Sequence, residues 1–154
     1  MTTVVERSVL VEFSAAQMRS LVEGIEDYPK FLPWCSGAEV VSREPEAVVA
    51  TLTINFRGIR QQFTTENVAL KQGEESVETE AIRIRLVSGP FKALDGVWTF
   101  QPLAGDACKV QLKLSYEFAN RLLETVVGPV FRYIADTMVE AFVQRARALD
   151  AQGK

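Results

Sequence analysis

Histidine is absent from the 154 residues of the chain. With it go the Ser-His-Asp and Cys-His nucleophile arrangements, the imidazole general base and most ordinary zinc sites, so no catalytic residue and no metal ligand set is assigned. Cysteine is nearly absent: Cys35 and Cys108 stand far apart in the chain and read as two buried thiols, not as a disulfide. Clustered positive charge is missing too. The 17 basic residues are scattered among 20 acidic ones for a net charge of -3, which argues against direct DNA binding. No apolar run approaches the roughly 18 residues of a membrane span. The opening MTTVVERSVLVEF carries Glu6 and Arg7 inside its apolar stretch and lacks a small-residue cleavage site, so it does not read as a secretion signal. The expectation is a cytoplasmic protein whose contact with the inner membrane is at most peripheral.

What is present suits one core: 47% hydrophobic and 24% charged residues. Residues 1–150 are read as a single domain and 151–154 as a disordered tail. VVERSVLVEF (4–13) is rich in β-branched residues and predicts a strand with Val5, Val9, Val11 and Phe13 on one face and Arg7 at its rim. Ser14 predicts the N-cap of a short helix bearing Met18, Leu21, Val22 and Ile25. Asp27 is expected to cap one further turn, kept brief by Pro29 and Pro33. From about residue 38 the period changes to two. Val48, Ala50, Leu52, Ile54 and Phe56 share a face, Gly58 marks a turn, and residues 60–70 and 76–87 follow as hairpin partners across a turn at 71–75. Arg83 and Arg85 share a strand face and read most simply as an outward, solvated pair. In the final strand Cys108, Val110, Leu112, Leu114, Tyr116 and Phe118 alternate with polar residues. A helical segment then runs from Asn120 to about residue 149, with Leu123, Val127, Phe131, Ile134, Met138 and Phe142 in one stripe and a kink or early stop expected at Gly128-Pro129.

This order predicts an α+β fold: a curved antiparallel sheet of six or seven strands around one long C-terminal helix. A single helix cannot fill such a concavity uniformly unless very large side chains do so, so an apolar cavity is expected between the two. Three segments supply candidate lining. DYPKFLPWC (27–35) places Tyr28, Phe31, Leu32 and Trp34 beside two prolines, either as a plug for one end of the core or as the wall and gate of a pocket. SGPFKALDG (88–96) holds Phe91 and Leu94 between glycines, either as a lid that touches a membrane or as a β-bulge. On the last strand and helix, Tyr116 offers a hydroxyl donor, and Phe131, Ile134 and the adaptable thioether of Met138 offer apolar contact. Phe56 and Trp98 complete the set.

DYPKFLPWC, GPFKALDGVWTF (89–100), Cys108, SYEFAN (115–120) with Leu122-Leu123, and GPVFRYIADTMVEAFVQRA (128–146) together resemble the coenzyme Q-binding protein and ribosome association toxin family. That family belongs to the START-like, polyketide cyclase-like superfamily; Pro129, following the family's glycine, is a departure from it. The resemblance implies a helix-grip fold enclosing an apolar tunnel. It implies a non-enzymatic carrier or chaperone of a polyisoprenoid quinone, with a ubiquinone-like lipid as ligand, no cofactor, a role in respiration and transient contact with a membrane surface. The family's other branch implies a toxin-like protein that binds a ribosomal subunit and inhibits subunit association, although only Arg145 and Arg147 approach a basic cluster here. A polyketide cyclase- or dehydratase-like enzyme would need an acid-base pair in the pocket, whereas the Asp and Glu residues look surface-placed.

Overall fold

A computed structural model describes residues 2–72 and 79–152. The elements follow in the order β1 (Thr3–Val11), α1 (Ala15–Glu23), a 3-10 helix (Ile25–Lys30), β2 (Cys35–Arg43), β3 (Ala47–Phe56), β4 (Ile59–Gln72), β5 (Thr79–Ser88), β6 (Phe91–Leu103), β7 (Ala107–Phe118) and α2 (Arg121–Gln152). One seven-stranded antiparallel sheet has the order β1-β7-β6-β5-β4-β3-β2, so the first strand closes onto the last. The helix-grip expectation is met. α2 lies against β7, β1 and α1 and only grazes β4.

Local chemistry accounts for the elements. Ser14 accepts from the Gln17 amide while the Gln17 side chain accepts from the Ser14 amide, a reciprocal cap that starts α1. Arg57 and Gly58 have φ of 52° and 79°, the positive values a two-residue hairpin demands between β3 and β4. Period-two burial is cleanest in β7, where Cys108 through Phe118 alternate buried with half-exposed neighbours.

Several expectations need correction. Asp27 is not a cap: it sits inside the 3-10 helix and pairs with Lys30 at 2.9 Å, which lowers its carboxyl pKa. Lys71 and Gln72 belong to β4, while the rest of the turn expected at 71–75 lies outside the described residues. α2 does not stop at Pro129. It continues unbroken, because the missing amide leaves only the carbonyl of Thr125 without its helical partner, on an exposed turn, while Val127, Val130 and Phe131 on either side are buried. α2 also runs through Ala151 and Gln152, half of the four residues assigned to a tail; the other two lie outside the described residues.

The lid reading of 88–96 fails and the bulge reading holds. Phe91 pairs with Phe118, Ala93 with Glu117 and Leu94 with Tyr116, with one register shift between Phe91 and Ala93. Only the turn at Gly89-Pro90 remains outside the ladder. Gly89, at φ 150°, brings that turn so close to β4 that an added Cβ would meet the Phe63 Cβ at 2.7 Å, so glycine is required. Phe91 and Leu94 are both buried, which removes them as membrane contacts.

Candidate ligand pocket

Two aromatic clusters occupy the space between sheet and α2. Phe131 is the hub of the first, with ring centroids 4.7 Å from Tyr116, 4.9 Å from Phe91, and 6.1 Å from both Phe63 and Phe118. Phe142 is the hub of the second, 5.1 Å from Phe31, 5.3 Å from Trp98 and 5.4 Å from Tyr28. The hubs are eleven positions apart, about three helical turns, and so share one face of α2. Between them the helix presents Ile134 and Met138, which do not fill the gap. A cavity remains there.

The cavity measures about 60 Å³. Its walls are Leu52 of β3, Phe63, Thr65 and Asn67 of β4, Ile84 of β5, Leu94 and Trp98 of β6, Leu112 and Leu114 of β7, Phe131, Ile134 and Met138 of α2, and Tyr28. This corrects the expected open tunnel: the volume is roughly a fifth of the ~300 Å³ at the low end for ligand pockets. The reason is the nine aromatic side chains just described, the very large groups able to occupy a concavity that one helix cannot. The wide hollows are outside. One of about 570 Å³, open to solvent, lies between α1 and the end of α2 against Phe13, Leu21 and Leu149.

Of the expected lining, Tyr28, Leu94, Trp98, Phe131, Ile134 and Met138 face the cavity, whereas Phe31, Leu32, Trp34, Phe56, Phe91 and Tyr116 do not. DYPKFLPWC thus divides between its two readings. Tyr28 is wall, with its hydroxyl donating to the Val22 carbonyl at 2.5 Å and its pKa pushed up by burial. Leu32 and Trp34, each 1% exposed, are plug. Phe31 stays half-buried under the Arg145 guanidinium, 5.3 Å above its ring. Phe91 and Tyr116 stand one layer behind Phe131. Burial raises the pKa of Tyr116, whose hydroxyl lies near Thr3, Arg132 and Asp136 and not in the cavity. Phe56 stacks on Tyr133 of α2 at 5.3 Å, with Arg57 4.9 Å over both rings, beside the cavity and not in its wall.

The lining that sequence reasoning missed is Leu52, Ile84, Leu112, Leu114 and three residues of β4, Phe63, Thr65 and Asn67. Thr65 is buried at 5% exposure and its hydroxyl lies 3.2 Å from the Asn67 side-chain oxygen, to which it donates. Two polar residues at i+2 and i+4 from Phe63 hide an inward face from any hydrophobic count, and their register opposite Ala50 and Val48 reveals it. Thr65, Asn67, Tyr28 and Trp98 are the lining residues that carry a polar side-chain group, and the Tyr28 hydroxyl is taken up by Val22. Among the described residues no carboxylate or amine lines it. The inward-facing Glu80 is held by Arg19 of α1, beyond the lining. Arg83 and Arg85 point outward, Arg83 pairing with Asp95 at 3.2 Å. The thiols are shielded: burial pushes Cys35 up to about 11, and raises Cys108 as well.

Residues 11–143 match the family described as polyketide cyclase / dehydrase and lipid transport. The chain belongs to this family. Within it, the chain is 39% identical over 149 residues to the ribosome association toxin RatA of Pseudomonas aeruginosa, covering 97% of this chain and 99% of that protein. It is 30% identical over 141 residues to the mitochondrial coenzyme Q-binding protein COQ10 of Drosophila melanogaster, covering 90% of this chain and 56% of that one. A START superfamily protein from Mycobacterium smegmatis shares the fold at TM-score 0.73 and 22% identity, covering 95% of this chain and 98% of that one. The recognition drawn from DYPKFLPWC and its companion segments is therefore correct at the level of the family.

Proposed function

We propose that this member of the polyketide cyclase / dehydrase and lipid transport family binds one uncharged, apolar guest of the polyisoprenoid quinone class between sheet and α2, as a carrier and not as an enzyme. The observation that carries the reading is the lining: apolar side chains from five strands and α2 converge on one space with a single hydroxyl-amide pair, Thr65 and Asn67, and no ionisable acid-base pair. A neutral quinone head asks for one or two donors and its tail only for dryness, about 0.8 kcal/mol per buried methylene. Proton-transfer chemistry would ask for a carboxylate or amine that this lining does not offer.

At about 60 Å³ the space must widen to admit such a guest. The weak seam is between α2 and β3–β4, because α2 only grazes β4 there. A guest entering along that seam would spread Met138 and Leu52 while leaving the ladder intact.

The test is organic extraction of the protein purified from its own host, with mass spectrometry of the extract. A stoichiometric isoprenoid quinone is expected; an extract without one, together with no quenching of tryptophan fluorescence by a short-chain quinone in detergent micelles, overturns the reading. A second reading, action on a ribosomal subunit, is favoured by the 39% identity to RatA. It would rest on the outer surface, and co-sedimentation of lipid-free protein with one subunit would support it.

A further inference from the structure

The antiparallel topology gathers the turns at two opposite ends of the sheet, and their charges differ. At one end the described turns 12–14, 44–46 and 104–106 carry Glu12, Glu44, Glu46 and Asp106 and no base. At the other end the turns 57–58, 89–90 and 119–120 carry Arg57 and no acid. α2 starts at this second end, adding Arg121 and Glu124 in its first turn. A chain of net charge -3 thus keeps one end that is not acidic.

The same end exposes apolar surface. Leu122 is 71% and Val126 48% exposed, and Pro129 is exposed as well. Together with Tyr133 they recur at i, i+4, i+7 and i+11, one stripe along the first three turns of α2. The stripe ends where Tyr133 stacks on Phe56 beneath Arg57, beside the seam through which a guest would enter. Among the described residues nothing covers Leu122, and a leucine there contributes nothing to the core.

We infer that this stripe, flanked by Arg57 and Arg121, is a docking face for a bilayer that contains anionic lipid. Apolar residues on one side of a helix with arginines beside them suit the interfacial layer, where the side chains enter the acyl boundary and the guanidinium groups meet phosphates. The inference rests on the carrier reading above and gives it a route: the seam faces the membrane from which an isoprenoid guest would come. The acidic opposite end orients the molecule by repulsion from the same surface.

Flotation with vesicles tests it, comparing phosphatidylcholine alone with phosphatidylcholine containing phosphatidylglycerol. Binding to the anionic vesicles is expected, weakening as salt rises. The double variant Leu122→Asp with Val126→Asp should bind about tenfold less at an unchanged unfolding midpoint, because both side chains are exposed. Arg57→Gln with Arg121→Gln should abolish the preference for anionic vesicles. Wild-type protein that stays off vesicles, or Asp variants that float as well as wild type, overturns the docking face. Loss of ribosomal-subunit binding in the Asp variants without vesicle binding by wild type overturns it in favour of a ribosomal partner. Short-chain quinone titration in detergent micelles reads the pocket separately: it should be the same in all variants, and its failure alone condemns the carrier reading while leaving the docking face standing.

Discussion

The rings gathered by Phe131 and those gathered by Phe142 fill two ends of one concavity, yet they are held in different ways. Around Phe131 the partners Phe63, Phe91, Tyr116 and Phe118 come from β4, β6 and β7, interior strands of the sheet. Around Phe142 two of the partners, Tyr28 and Phe31, come from a six-residue 3-10 helix with Pro29 inside it and from its C-cap. That segment leans on a few bonds, among them Leu32 to the Tyr28 carbonyl at 2.9 Å and Tyr28 to the Val22 carbonyl. Rings of similar size thus meet a stiff wall at one end and a yielding one at the other. A cavity between unequal walls can enlarge by moving the weaker one.

The sharpest challenge to this contrast is truncation of the hubs. Phe131→Ala should cost about 4–5 kcal/mol, because the surrounding strands cannot collapse into the hole, and Phe142→Ala about 3 kcal/mol, because the 3-10 helix can. Urea unfolding measures both, and the reverse order would refute the stiff and yielding walls. Filling the gap comes next. Met138→Trp should eliminate quinone uptake while changing stability by only about 1–2 kcal/mol, since the ring enters space already empty; uptake at the wild-type level would remove the cavity from the binding path. Tyr28→Phe leaves the ring and deletes the hydroxyl bond to Val22, an effect of about 1 kcal/mol, and amide hydrogen exchange should then quicken in residues 25–32 before it does in β6 or β7.

The smallest effect concerns the thiols. Neither Cys35 nor Cys108 should react with a disulfide reagent in the native protein near neutral pH, and both should react after unfolding. With the folded thiol of Cys35 raised from 9.0 to about 11, the native state keeps a proton that the unfolded chain has lost. Stability is therefore unaffected below about pH 9 and falls as pH rises through about 11. Cys35→Ala should flatten that decline; the same slope in the variant would assign the alkaline loss to other groups, Tyr28 first.

Much of the fold could be read from periodicity because the pattern repeats. Six inward residues at spacing two mark β7, and a helical stripe through Phe131, Ile134 and Phe142 marks α2. The site was half legible. On α2 Phe131, Ile134 and Met138 face the cavity, whereas on β7 the expected Tyr116 faces inward yet is screened by Phe131, and Leu112 and Leu114, outside the expected lining, reach it instead. β4 was not legible, because Thr65 and Asn67 on its inward face look like solvent-facing residues until pairing with β3 sets their direction. The stretch 88–96 shows the same limit: glycines at both ends suit a lid or a bulge equally, and only pairing with β7 selects the bulge.

By itself the amino-acid order determined most of the elements, the faces that β3, β7 and α2 bury, the family and the exclusion of imidazole chemistry, all of which follow from residue type and spacing along the chain. Whether the interior is a tunnel or a small cavity was decided by tertiary structure alone. Local spacing says that a ring points inward, but whether rings from different strands meet over the same turn of α2 depends on register and curvature, and those arise only when the whole sheet has closed.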